Sequence, residues 1–179
     1  MPRSPRPKPP LDAQRLEELA LSYVARFATT RAKLEQYLAR KLRERGWEPV
    51  SPPPISDIAE RFEQAGYIDD EAYARSKTGS LMRRGYGMRR VGQALGAAGV
   101  EEDVRDLVAP DERERRAAAL TMVRKRRFGP FASEPADRAR REKQVAAMLR
   151  AGHAMAHVLA LLDAASVEEA EEWAEAEGE

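Results

Sequence analysis

The sequence contains no cysteine. That absence removes disulfides, thiolate nucleophiles and cysteine-based zinc sites together, and it fits a reducing compartment. Aromatic residues are scarce, at 6%, so thin helices sharing small cores are expected in place of one deep core. No apolar run approaches the length of a membrane span, and the opening MPRSPRPKPP lacks the apolar centre of a signal peptide. A cytoplasmic protein without membrane contact is the expectation. Valine and isoleucine are too scattered to write alternating strands. Ser, Thr and Lys fall in no nucleophile motif, and no glycine loop matches a phosphate cradle. These absences point to a non-enzyme with no cofactor and no metal.

One further absence is local. From Ala72 to Val100 there is no acidic residue, yet Arg75, Lys77, Arg83, Arg84, Arg89 and Arg90 all fall in that window. A solvated helix face normally mixes signs, so a one-sign window points to an anionic or acidic partner. Just before it, Asp69, Asp70 and Glu71 sit where a helix should start. Helix capping accounts for these carboxylates without acid–base chemistry. Gly85-Tyr86-Gly87 then breaks the helix, and Met88, Val91, Leu95 and Ala98 begin a new apolar stripe.

What is abundant favours helix: alanine, leucine, glutamate and arginine dominate. A first helix is expected from about Asp12 to Ala28, with Leu16, Leu19, Ala20, Tyr23, Val24 and Phe27 on one face. A second, capped by Thr29 or Thr30, runs to Gly46. The segment Glu48-Pro49-Val50-Ser51-Pro52-Pro53-Pro54 cannot be helical throughout. A short helix with Ile55, Ile58, Ala59 and Phe62 stops near Gly66. The pattern recurs from Asp69, with Val104, Leu107 and Val108 inward on its last helix, and again from Asp111, where Met155, Val158, Leu159 and Leu162 mark the final stripe. Gly46, Gly99 and Gly152 each end a second helix. The expected fold is therefore all-α: three tandem three-helix repeats over 12–67, 68–109 and 110–164, forming an elongated, curved array. A disordered basic Pro-rich arm over 1–11 precedes them, and an acidic tail over 165–179 follows.

Three basic clusters stand at helix ends: Arg40, Lys41, Arg43 and Arg45; Arg83 and Arg84 with Arg89 and Arg90; and Arg124, Lys125, Arg126 and Arg127. Lys and Arg near helix C-termini favour the dipole, which explains part of each cluster but not the acid-free window. On an open curve these side chains would line one surface and meet phosphates or an acidic protein groove. Tyr86 and Phe128 are expected to pack back onto their own short cores. His153 and His157 are spaced for one helix face, but Ala154 stands where a zinc protease needs Glu, and a structural pair is expected. The stretch Asp163–Glu179 carries eight acids and no Lys or Arg, so the formal net charge of +1 hides a basic body. That stretch is either an arm that folds over the basic body or a solvated, frayed helix.

The segment from Gly66 to Val100 resembles the central repeat of the RecX family, small helical regulators of the RecA recombinase. Gly66-Tyr67, Asp69-Asp70, Tyr73-Ala74, Arg84-Gly85-Tyr86-Gly87, Arg90, Leu95 and Gly99-Val100 carry the resemblance. It implies a cytoplasmic, monomeric protein that binds the RecA protein filament on DNA. Such a protein restrains filament assembly, ATP turnover and strand exchange, within DNA repair, homologous recombination and the SOS response. It also implies contact with single- or double-stranded DNA. General nucleic-acid binding independent of RecA is the alternative. Carried onto this chain, Arg83, Arg84, Arg89, Arg90, Arg124, Lys125, Arg126, Arg127, Arg40 and Lys41 become contact residues, and Gly85, Tyr86, Gly87, Phe128 and Gly129 become structural turns. The chain departs from the family in its Pro-rich insertion, in Gly92 and Gly96 within a helix, and in its acidic C-terminal extension.

Overall fold

The computed structural model describes residues 9–176. Among them are ten α-helices and no strand: α1 Ala13–Val24, α2 Arg31–Arg45, α3 Ile55–Gln64, α4 Asp70–Arg83, α5 Met88–Ala97, α6 Glu102–Leu107, α7 Glu112–Arg126, α8 Arg138–Arg150, α9 Met155–Asp163 and α10 Val167–Glu175. A single turn of 3₁₀ helix, Gly129–Phe131, lies between α7 and α8. The all-α expectation holds. The chain forms two compact units. Of the described residues, one holds those up to Tyr73 with Ala98–Val100; the other holds Ala74–Ala97 and those from Glu101 on.

In the first unit, Leu11, Leu16, Ala20, Leu34, Leu38, Ile58, Ala59, Phe62 and Ile68 form the core. The sequence places Leu11 in the N-terminal arm, but it is fully buried. Its N–H donates to the Gly46 carbonyl at 2.9 Å and its carbonyl accepts from Glu48 N–H at 2.9 Å, which fixes the chain beside Trp47. The rest of that expected arm, residues 1–8, lies outside the described residues. Asp12 caps α1 by accepting from Arg15 N–H. α1 ends four residues earlier than expected, and Phe27 leaves the apolar face to stand 57% exposed against Tyr23.

Thr30 caps α2, accepting from Lys33 N–H, and its hydroxyl donates to the Ala98 carbonyl. Asp70 accepts from Arg31 N–H at 2.9 Å, so this carboxylate serves the start of α2 while Asp69 caps α4 through Ala72 N–H. Burial raises the Asp70 carboxyl above its usual range, against the pull of that Arg31 N–H bond.

In the second unit, Ala119, Met122, Val123, Met148, Val158, Leu161, Leu162 and Ala170 form the core. Phe128, Phe131 and Trp173 pack at its margin. Three expected inward residues turn out: Leu107 on the six-residue α6 is 68% exposed, and on α9 the buried face is His157, Val158, Leu161 and Leu162, leaving Met155 and Leu159 outside. The expected acidic tail contains α10, whose Ala170 and Ala174 are buried. Residues 177–179 lie outside the described residues.

Candidate filament- and nucleic-acid-binding surface

The second unit builds its basic surface on two helix ends of the same construction. At the end of α4, Gly85 adopts φ +87° and Tyr86 N–H donates back to the Leu81 carbonyl at 3.1 Å. At the end of α7, Arg127 adopts φ +54° and Phe128 N–H donates back to the Val123 carbonyl at 2.9 Å. Both are left-handed caps closed by a bond five residues back. They set Arg84-Gly85-Tyr86-Gly87 in register with Arg126-Arg127-Phe128-Gly129. The caps release each chain outward with its cations exposed: Arg83, Arg84, Lys125, Arg126 and Arg127 all face solvent. The two ends meet, since Lys125 Nζ lies 3.4 Å from the Arg83 carbonyl oxygen.

Glycine is required at the centre of this surface by close approach. A Cβ on Gly87 would sit 2.4 Å from the Gly152 carbonyl carbon, and one on Gly152 would sit 2.5 Å from Arg90 N. The backbones lock there: Gly87 N–H donates to Ala151 O at 2.9 Å and Arg89 N–H to Gly152 O at 3.2 Å. His153 adds a third tie, its Nε2 at 2.9 Å from Gly85 O. A carbonyl can only accept, so Nε2 carries the proton. Burial lowers the His153 pKa below its usual 6.5 and keeps the ring neutral, outweighing the bond to Gly85 that favours the charged form.

Arg89 and Arg90 emerge from the start of α5, both exposed, and Arg89 Nη2 donates to the Leu149 carbonyl. The Arg84 guanidinium lies 5.2 Å from the half-buried Tyr86 ring. A recess of about 350 Å³ opens beside Arg89, lined also by Glu112, Arg115, His153 and His157. The two histidines share no ligand. His157 Nε2 is 2.7 Å from Glu112 Oε1 and its ring stands edge-on to Trp173. Partial burial raises the Glu112 carboxyl, but bonds from His157 and Arg116 outweigh it and hold it below the usual range. No group of three metal-ligating side chains occurs among the described residues.

The other expected contact residues differ in setting. Arg124 forms an ion pair with Glu171 and lies 5.6 Å from the Phe131 ring. Arg40 and Lys41 belong to the first unit, where both pair with Glu44 on the next turn and lie near the Tyr37 ring. Sequence reasoning missed Arg116, which lies 5.1 Å from the Trp173 ring and reaches the Trp173 carbonyl. Only its place on the same α7 face as Glu112 and Arg124 could have signalled it.

Comparisons with known proteins identify the family. Residues 69–108 match the family model of RecX, second three-helix domain, which corresponds to α4–α6. The chain is 32% identical over 146 residues to Regulatory protein RecX of Myxococcus xanthus, covering 76% of this chain and 78% of that one. It is 31% identical over 153 residues to Regulatory protein RecX of Halorhodospira halophila, covering 86% and 89%. The crystal structure of RecX from Lactobacillus salivarius superposes with a TM-score of 0.67 at 19% identity, over 84% of this chain and 96% of that one, and so shares the fold. No helix among the described residues is long and apolar enough to cross a membrane. The chain belongs to the RecX family of regulatory proteins.

Proposed function

We propose that this chain is a non-enzymatic, monomeric, cytoplasmic inhibitor of RecA, built from three helical repeats, that binds the RecA–DNA filament and restrains its assembly and ATP turnover. The observation that carries this reading is the meeting of two basic helix ends in the second unit, with Lys125 at 3.4 Å from the Arg83 carbonyl. Arg83, Arg84, Arg126 and Arg127 are exposed there without a carboxylate partner among the described residues. Unneutralised guanidinium groups grouped in this way attract phosphates and acidic protein surface, and they pair bidentately with either. Arg89 and Arg90 extend the surface along α5. The glycine turns hold it rigid. Arg40 and Lys41, already bridged by Glu44, contribute less.

The test is a titration of RecA ATPase on single-stranded DNA. Wild-type protein should suppress turnover, and the R83E/R84E/R126E/R127E variant should not, while far-UV circular dichroism shows the helices intact. Equal inhibition by a folded variant would overturn the assignment of this surface. Simple nucleic-acid binding without RecA would instead appear as DNA affinity that falls steeply with salt and no effect on turnover beyond competition for DNA.

A further inference from the structure

We infer that α10 is a built-in competitor for this basic surface: it occupies Arg124 with Glu171 and thereby regulates anion binding. The inference rests on the surface proposed above. Three contacts dock the helix. Ala170 and Ala174 are buried. Trp173 lies beneath the Arg116 guanidinium at 5.1 Å and against the His157 ring at 5.5 Å. Arg116 Nη1 also reaches the carbonyls of Trp173 and Ala176, both at 3.4 Å. These contacts run α10 antiparallel to α7, because Trp173 and Ala176 meet Arg116 while Glu171 meets Arg124 two turns further on.

Docking therefore puts a carboxylate on the first residue of the row Arg124, Lys125, Arg126, Arg127. The other three cations of that row carry no such partner among the described residues. The helix itself holds Glu168, Glu169, Glu171, Glu172 and Glu175 and no cation. An anionic ligand that uses Arg124 must first displace Glu171. The pair is half exposed, with side-chain accessibilities of 54% and 41%. Such pairs are weak, so the device is an adjustable shield that ions and ligands can open.

The experiment measures binding of the full-length protein to fluorescein-labelled oligothymidylate across a salt series, using E171Q, E172Q, R124A and the double variant R124A/E171Q. Glu172 carries the same charge on the same helix but is exposed and forms no ion pair with Arg124. E171Q should tighten binding about two- to fivefold at low salt. It should also steepen log K against log salt by up to about 0.7, one more single-strand phosphate contact. E172Q should give only a smaller gain from reduced repulsion, with the slope unchanged. The E171Q gain should vanish in the R124A background. Equal effects of E171Q and E172Q, or a gain that survives without Arg124, would overturn the shield while leaving the surface in place. Unchanged binding by R83E/R84E/R126E/R127E would overturn the surface, and the shield with it.

Discussion

Replacing Gly87 with alanine tests whether the basic surface depends on two turns in backbone contact. The added Cβ would lie 2.4 Å from both the carbonyl carbon and the oxygen of Gly152, and 2.5 Å from His153 N. Ordinary contact needs about 3.5 Å or more, so the turns must part by about 1 Å. The neighbours are backbone and cannot rotate away. Parting stretches Gly87 N–H to Ala151 O and Arg89 N–H to Gly152 O, bonds worth about 0.5–1.5 kcal/mol each. Overpacking adds about 1–3 kcal/mol. A loss of about 3 kcal/mol is expected, which in a chain of this length lowers Tm by about 6–12 °C. Gly92→Ala supplies the opposite sign. Gly92 lies within α5 and a Cβ there meets nothing within 4 Å. Alanine should therefore stabilise by about 0.5–1 kcal/mol. Thermal melts followed by far-UV circular dichroism read both. A Gly87→Ala protein that melts with wild type, while Gly92→Ala gains, would refute the claim that close approach makes residue 87 glycine.

Arg127→Gly should raise Tm by about 1–4 °C, because a left-handed non-glycine residue costs about 1–2 kcal/mol, of which glycine's extra unfolded-state freedom returns part. The same variant should bind single-stranded DNA with a salt slope shallower by about 0.7, so stability and affinity move in opposite directions; a lower Tm would show that the Arg127 side chain holds the cap. His153 is held neutral when folded, with its pKa below the usual 6.5. The unfolded chain therefore takes up the proton first as pH falls. Its contribution is complete above about 6.5 and is lost as pH falls through the lowered value. Urea midpoints compared at about pH 7.5 and about pH 5.5 should drop less for His153→Gln than for wild type, and parallel drops would remove His153 from the acid response.

Much of the fold is legible because its stops are local. Gly46, Gly85, Gly99 and Gly152 all adopt positive φ at helix ends, and a glycine after an apolar stripe signals that cap in sequence. The failures fall where burial is decided by distant partners. Leu11 sits among prolines, and nothing nearby shows that residues 46–48 will receive it. Leu107 has the spacing of an inward residue, but α6 is too short to press its whole apolar face onto a neighbour. On α9, Met155 and Leu159 share the stripe of Val158 and Leu162 by composition, yet His157 takes the buried position because Glu112 and Trp173 are there to meet it. At the proposed surface, the one-sign window marks Arg83, Arg84, Arg89 and Arg90. That Lys125 stands beside Arg83 depends on the packing of helices 42 residues apart.

The C-terminal helix shows why charge can conceal structure. Val167, Ala170 and Ala174 follow helical spacing, Trp173 adjoins them, and Ser166 caps the helix by accepting from Glu169 N–H. Every local signal of a short amphipathic helix is present. Five glutamates surround it, and such density ordinarily indicates a solvated segment because like charges repel. What reverses that outcome is the complementary charge on α7. Arg116 and Arg124 stand eight residues apart, so they share a face, and the antiparallel α10 offers a tryptophan ring to one and a carboxylate to the other. Neither helix specifies this contact alone. α7 has too many cations to bury that face, and α10 has too little apolar area to fold by itself. Docking offsets both deficits. That same complementarity brings Glu171 into the basic row, so the contact that orders the C-terminal helix is also the one an anionic partner must break.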